Sequence, residues 1–521
     1  MLRLDQTTAS LSFSRAVLFA TALAAWCHGL GGCVTVDPRP DFDRAERMVV
    51  ARTGVERVYD PETLSTVEDA VATLLTDGLT TNEAVQVALL NNRRLQALFQ
   101  EIGVSRADLV QSGLLSNPSV GFSARFPEGG GRSNLTLTFA QQLVDLWQIP
   151  VRIRIAEADL ERTLLNVVHQ ASDLAVDVRC RCYHLIALRQ MEVIAGETLE
   201  LAEKSLKLVE DRFDTGDAGQ VDVNLARAAM LAVKAQAMAI RQDRRVAQTT
   251  LAHELGLARW RGPWTLDDSL PQPALPIDEG DSLLQFAMSE RLDARAAAMK
   301  VRGAEDEVKR QYLSIFPNVT LGVEAERPER RALPSRKILA DTARASVANG
   351  RLTAPSIQSR GERKLERRQI IDSLFGPTLD LTLPIWDQNQ AQIAKARFQA
   401  VQARKEYEDI LDGVARDIEE ALIVAKSTAE LVQFYEQQVL PGARANVESA
   451  QRAYHAGRQG IIALIDAQRN LITQREANVG ARRDYAVALA ELRRAVGGRL
   501  PSEVNDEPNT KVREEAQAET Q

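Results

Sequence analysis

Aromatic residues are scarce in this chain: Phe, Trp and Tyr together make up 5% of its 521 residues, beside only four cysteines and five histidines. So few aromatics do not suit a compact enzyme core. The abundant Ala, Arg, Glu, Gln and Leu are instead the balance of long helices and coiled coils. A basic excess is also missing, since the net charge is −7, and a chain without a basic face does not bind nucleic acid in general. No nucleophile motif, phosphate loop or metal-ligand pair stands out, so no catalytic residue, metal or cofactor is expected. Of the cysteines, only Cys180 and Cys182 lie outside the N-terminal region. Two residues apart on a helix, they point about 200° away from each other, which is poor geometry for a disulfide or a shared metal. Packing is their expected role.

Long hydrophobic runs are lacking too. The run Ala16 to Trp26, preceded by Arg3 and Arg15, has 11 residues and is too short to span a bilayer as a helix. It reads as an export signal. Leu30-Gly31-Gly32-Cys33 follows and resembles a bacterial lipobox, in which small residues precede a cysteine that becomes acylated. Residues 1–32 are then a lipoprotein signal peptide and Cys33 the lipidated first residue of the mature chain; an ordinary signal with an incidental cysteine is the alternative. Val34 stands where an inner-membrane lipoprotein would carry aspartate, and that resemblance points to the outer membrane.

What the chain does have is a tandem repeat. Phe213-Asp214-Thr215-Gly216 matches Tyr454-His455-Ala456-Gly457 at an offset of 241 residues, and at the same offset Val223 falls on Leu464 and Ala226 on Ala467. Each copy opens a long helix after a glycine turn, at Gly216 and Gly457. Before the first turn, Val151 to Phe213 gives 63 residues without proline, a helix of about 95 Å. Its apolar seam, Leu164, Val168, Ala171, Ala175, Val178, Cys182 and Leu185, is spaced 4-3-4-3-4-3, a left-handed coiled-coil period. The second long helix, 388–455, has a seam from Tyr407 to Val439 with nine consecutive 4-3 spacings.

The expected division is an extended segment 33–78, with a short helix after Pro61; a first repeat 79–257; a linker 258–279; a second repeat 280–498; and a disordered acidic tail 499–521. The first repeat runs helix (about 80–113), β-hairpin 119–140, long helix 151–213 and return helix 221–255. The second runs helix (about 280–313), strands 318–326 and 378–383, long helix 388–455 and return helix 461–497; its Arg291-Leu292 is matched to Arg94-Leu95. In each repeat the two half-length helices, stacked end to end, should equal one long helix. The strands alternate, with Val120, Phe122, Ala124 and Phe126 on one face and Gly121, Ser123 and Arg125 on the other. The insert 327–377 between the second pair of strands holds twelve Arg or Lys between Arg327 and Arg368 and should be a loop, either solvated or able to hold anionic lipid or polysaccharide.

Four such strands are too few to close a barrel, so several copies are needed; three give twelve strands. At this point the chain resembles the TolC family of outer-membrane efflux channels, in particular the lipoprotein branch that works with resistance-nodulation-division pumps. The repeat, the lipobox, the corners Leu143-Val144-Asp145-Leu146-Trp147 and Leu383-Pro384-Ile385-Trp386-Asp387, and the Tyr454-to-Gly497 segment carry the resemblance, in family order. It implies a mainly α chain with a small transmembrane β part, and a homotrimer closing a 12-stranded barrel on an α-helical tunnel. A periplasmic adaptor protein and an inner-membrane pump are the implied partners, with outer-membrane lipid around the barrel. Asp466 resembles the family's pore-lining aspartate, although Ala463 replaces a frequent second one. Asp222 and Tyr454 match residues that latch the closed tip; Gln459 replaces the usual basic partner, and the adjacent Arg458 can substitute. Asp222 and Asp466 can equally serve as first-turn acids of their helices. Trp147 and Trp386 are candidates for the membrane interface or for packing at the corner. A lipid-anchored periplasmic coiled-coil adaptor without a pore is the alternative function, although such proteins use one hairpin and attached β domains.

Overall fold

The computed structural model describes residues 35–61, 64–76, 78–126, 131–216, 218–273, 280–328, 330–331 and 374–500. The expected signal peptide, Cys33, residues 332–373 of the insert and the tail from residue 501 lie outside the described residues.

The segment before the repeats is more helical than expected. Besides a helix after Pro61, α2 (Leu64–Leu74), it forms α1 (Arg39–Thr53). Pro40 sits in the first turn of α1, where a missing N–H is harmless, and Phe42, Ala45, Val49 and Thr53 recur at helical spacing as its buried face.

The first repeat follows as α3 (Thr81–Asn91), α4 (Arg93–Ser112), β1 (Ser119–Arg125), β2 (Gly131–Arg132), β3 (Asn134–Gln142), α5 (Asp145–Asp214) and α6 (Gln220–Glu254). The second gives α7 (Gly280–Glu290), α8 (Leu292–Leu313), β4 (Asn318–Arg327), β5 (Arg330–Arg331), β6 (Leu374–Thr382), α9 (Gln390–Phe434), a π-turn (Tyr435–Val439), α10 (Leu440–His455) and α11 (Ile461–Val496). Helix α5 is the spine, packing against α1, α3, α4, α6, α8 and α11. All seven of its counted seam residues are buried. It starts six residues earlier than expected and passes through Pro150. Pro150 falls near the helix start, where few backbone bonds are lost. In the second long helix Pro441 is preceded by the π-turn, a wide turn that absorbs the missing N–H.

Each expected half-length helix before the strands is two helices. In the first repeat the break is Asn92, which splices two helix ends together. Its Oδ1 accepts the backbone N–H groups of Arg94 and Leu95 at 3.0 and 3.1 Å, capping α4, while its Nδ2 donates to the carbonyl of Glu254 at 2.9 Å, at the C-terminal end of α6. Orphan donors of one helix and orphan acceptors of another are thus satisfied by a single amide. Gly256 follows with φ +71°, and a Cβ there would lie 2.4 Å from the Asn91 carbonyl oxygen, so only glycine fits.

The second repeat solves the same problem with a cation. Arg291 donates to the Ala495 carbonyl at 3.2 Å and pairs with Asp293 at 2.6 Å and Asp417 at 3.2 Å, while Gly497 (φ +92°) packs against it. Ala495 stands 241 residues after Glu254. Arg291 therefore occupies the place of Asn92, and the match of Arg291 to Arg94 is corrected by two residues. Because α3 and α7 turn aside at these breaks, the end-to-end stacks are α6 with α4, of 35 and 20 residues, and α11 with α8, of 36 and 22. Each is shorter than the 70-residue α5 rather than equal to it.

Strands β1, β3, β4 and β6 form one antiparallel sheet in that order, with β1 and β6 as its edges. Strand β6 begins four residues before its expected start and tolerates Pro377 because it is an edge. The register puts Phe122 beside Leu137 and Leu137 beside Ala325, and Leu321 beside Leu379. One face of the sheet is therefore apolar, and Val120, Phe122, Leu137 and Leu379 on it are 70, 71, 52 and 62% exposed. The other face carries Thr136, Thr138, Glu324 and Asp380. Gly131–Arg132 pair with Arg330–Arg331 as a separate two-stranded extension, so the expected glycine-rich turn is partly strand.

At the foot of the sheet Asp145, 1% exposed, accepts the Ser116 N–H at 2.7 Å and an Arg152 guanidinium N–H at 3.0 Å. Burial alone would raise its pKa, but these donors outweigh that and hold the carboxyl below the ordinary carboxylate range. A depressed folded-state pKa means the stabilisation is complete above about pH 4 and is lost as pH falls through the folded value. Asp145→Asn should cost about 2 kcal/mol at neutral pH and lose less than wild type between pH 7 and pH 3, which thermal melts at the two pH values will measure. Arg291→Ala, which removes the cation shared by Asp293, Asp417 and the Ala495 carbonyl while Arg416 still pairs with Asp417, should cost about 3 kcal/mol, against about 1 kcal/mol for loss of the cap in Asn92→Ala.

Candidate functional site

The two helix–turn–helix tips, α5–α6 and α10–α11, hold most of the residues singled out in the sequence. Gly216 (φ +84°) and Gly457 (φ +66°) close the turns in left-handed conformations that a side chain would strain. Asp222 accepts the Gly219 N–H through Oδ2 at 3.0 Å, so it caps its own helix. Ala463, its counterpart by the 241-residue offset, has no carboxylate, and the two tips are therefore chemically different.

An apolar clasp joins the tips. Val209, Val223 and Ala226 of the first pack with Tyr454, Ile461 and Leu464 of the second. Tyr454 is 5% exposed, and the Arg212 guanidinium lies 4.9 Å from its ring centre, a cation–π contact that brings charge onto the clasp. Arg227 pairs with Glu210 at 2.9 Å across the first hairpin. Asp466, Arg458 and Gln459 are exposed. The fold thus brings Tyr454 into one cluster with Val223, next to Asp222, while the Asp222 carboxylate is engaged with Gly219 of its own tip. Arg212 was not singled out in the sequence; it precedes the matched Phe213, and only its nearness to the turn could have signalled it.

Above the clasp, α5, α6 and α11 enclose a cavity of about 250 Å³ lined by Ala195, Ala229, Val233, Ile465 and Ile472. Glu476 also lines it, and burial pushes that carboxyl above the ordinary range. At the other end of the molecule, Trp386 is 87% exposed. Trp147, in contrast, is half-buried, with its indole N–H enclosed and without an acceptor among the described residues. No helix among the described residues is long and apolar enough to cross a membrane. The outward apolar face of the sheet is the surface suited to lipid.

A family model described as "Outer membrane efflux protein" matches residues 84–257 and 283–498, that is, both repeats. The chain belongs to the outer membrane efflux protein family. It is 24% identical over 508 residues to the probable efflux pump outer membrane protein TtgC of Pseudomonas putida, covering 92% of this chain and 95% of that one. It is also 24% identical over 430 residues to the cobalt-zinc-cadmium resistance protein CzcC of Cupriavidus metallidurans, covering 80% and 90%. Over the pyoverdine export outer membrane protein OpmQ of Pseudomonas putida, 24% identical, the match spans 59% of that protein. Among solved structures, the fold is shared with the outer-membrane channel OprN, with TM-score 0.63, 18% identity and coverage of 87% of this chain and 95% of that one. The Campylobacter jejuni CmeC outer membrane channel matches with TM-score 0.63, 16% identity and coverage of 88% and 92%. This chain's role is that of the family, efflux at the outer membrane.

In this efflux protein the paired cysteines are packed side chains. Cys182 is fully buried, and Cys180 is half-buried with its thiol 3.8 Å from a Glu491 carboxylate oxygen. Burial pushes both thiols up to about 12. Among the described residues no cluster of three or more His, Cys, Asp or Glu is placed to hold a metal. At pH 7.5 the folded protein should therefore react with a maleimide at least about 100-fold more slowly than the protein in denaturant, because the reactive thiolate is suppressed. Equal rates would mean the thiols are open to solvent.

Proposed function

We propose that this chain is the passive exit duct of a tripartite pump: three copies close a 12-stranded barrel in the outer membrane and a helical tunnel below it. The observation that carries this reading is the apolar surface that one chain leaves uncovered along its whole length. Besides the sheet face, Val221, Leu231, Met238 and Val246 on α6 are 54 to 70% exposed, and Phe398, Val401, Ile423 and Phe434 on α9 are 48 to 76% exposed. Such stripes on facing sides of a hairpin bundle call for neighbouring copies. In this reading the units are the signal 1–32, the segment 33–78, the repeats 79–257 and 280–498 and the linker 258–279. A periplasmic adaptor and an inner-membrane resistance-nodulation-division pump deliver cargo to the tips and supply the energy. Cys33, acylated, tethers the N-terminus to the outer membrane, and Trp386, with Trp147 deeper in the corner, marks the lower membrane interface.

The tips form the gate. Three copies of Asp466 make an anionic ring that favours cations. Asp222 and Tyr454 latch each hairpin pair to the next, with Arg458 and Gln459 at the rim of the turn, and Arg212 held on the Tyr454 ring. Asp222 has a second duty as a helix cap, so a substitution that keeps the cap is needed to isolate the latch; serine does this. Single-channel recordings in planar bilayers should show small, cation-preferring openings for wild type and larger ones for Asp222→Ser with Tyr454→Phe, while Asp466→Asn lowers cation preference. A protein that is monomeric in detergent and without conductance would refute the duct. For the tether, Cys33→Ser should abolish labelled-palmitate incorporation while leaving barrel assembly intact.

A further inference from the structure

The cavity above the clasp is built within one chain. Helices α6 and α11 both pack along α5, and small side chains, Ala202 on α5 with Ala226, Ala229 and Ala232 on α6, leave a gap of about 250 Å³ between them. On α11 the lining runs from Ile465 to Glu476, about 16 Å of helix, so the space is a slot longer than it is wide. Its hydroxyl groups do not address it. Thr198 donates to the Ile194 carbonyl at 2.7 Å, Ser205 to that of Leu201 at 2.9 Å and Thr473 to that of Arg469 at 3.0 Å. Each is satisfied on its own helix.

Glu476 is different. It stands at the end of the slot remote from the clasp, half-buried, and burial alone raises its carboxyl above the ordinary range, with no cation near enough to offset the cost. Nearby cations are engaged elsewhere or lie lower. Arg475 pairs with Glu197 at 2.8 Å and Lys204 with Glu200 at 2.6 Å, while the exposed Arg469 lines the slot about 10 Å further down the same helix face. An elongated apolar space with one uncompensated carboxylate at its far end favours a molecule of the same pattern, a cation in front of an apolar body. A second positive charge on that molecule would meet Arg469. A protein helix, about 10 Å across, is too wide for the slot, which is also smaller than the sites that hold drug-sized ligands.

We propose that this slot is a binding site for a small, elongated organic monocation, with its ammonium group on Glu476 and its apolar end toward Ile465. The walls come from α5 and α6 of the first tip and from α11 of the second, so the ligand touches both hairpins just above their clasp. The site is complete in a single chain and does not depend on the duct reading or on the number of copies.

The test is calorimetric titration of the full-length protein in lipid nanodiscs, corrected with empty nanodiscs, using three probes of one shape: phenylbutylamine, phenylbutanol and phenylbutyrate. Wild type should take up one amine per chain, at least about tenfold more tightly than the alcohol and more tightly than the carboxylate. Glu476→Gln should weaken amine binding by at least about tenfold and Glu476→Asp by less. Ala229→Leu, which fills the slot at a distance from the carboxylate, should weaken the amine and the alcohol alike, and circular-dichroism melts establish that each variant is folded. No amine uptake by wild type, or an affinity unchanged in folded Glu476→Gln, overturns the proposal. Alcohol bound as tightly as the amine would make the slot merely apolar, and tighter binding of the carboxylate would assign it to an anion on Arg469; either result also overturns it. One amine per three chains does the same, since that places the ligand between copies and not within one.

Discussion

Two helix ends meeting head to tail are the constraint on which the rest of this structure depends. An α-helix leaves unpaired N–H groups at one end and unpaired carbonyls at the other, and this chain repeatedly sets one kind against the other. Asn92 closes the junction of α6 and α4 with both ends of one amide. Arg291 closes the junction of α11 and α8 with a guanidinium anchored on Asp293 and Asp417. Without these junctions the short helices could not form columns beside α5, and the sheet would have no continuous support below it. Arg52 adds to the second joint by donating to the Gly497 carbonyl and pairing with Glu290 at 3.0 Å. The N-terminal segment therefore reinforces the joint instead of lying loosely along it.

The tips and the sheet follow from the same economy of polar groups. At the tips the polar contacts are mostly local, the Asp222 cap, the Arg227–Glu210 pair and Arg212 over the Tyr454 ring, and the clasp itself is apolar around Tyr454. Apolar contact without a dense hydrogen-bond network suits a part that must separate and close again, because it places few geometric demands on the closed state. In the sheet, backbone pairing leaves side chains free to divide into a lipid-suited face and a polar one.

Much of the architecture was legible in the sequence because its signals are periodic. The 4-3 spacing from Leu164 to Leu185 gave the buried seam of α5, and the alternation from Val120 to Phe126 gave a strand with an apolar face. The 241-residue offset also aligned the two glycine turns. What was not legible was local and depended on partners distant in the chain. The break at Asn92 has a sequence signal, an Asn pair before charged residues, but Arg291 has none, since arginine is an unusual splice and, Asp293 apart, its partners Asp417 and Ala495 lie more than a hundred residues away. Helix α1 was hidden by its prolines, which sit where they do no harm. The tip was legible as a turn rather than as a clasp: nothing in the sequence placed Arg212 over Tyr454, and the role of Asp222 as a cap was visible only as one of two possibilities.

The sheet has one further consequence. Strand β1 and strand β6 are its two edges, and with four antiparallel strands in order they run in opposite directions. The last strand of any copy can therefore pair with the first strand of the next, and this handshake can be repeated without limit. Strand pairing by itself does not count. The number of copies in a closed ring must be fixed lower down, by the angle at which neighbouring hairpins pack along their seams. The helices are in that sense the ruler of the assembly and the strands only its fastening, so an altered seam would change the number of copies before it disturbed a single strand.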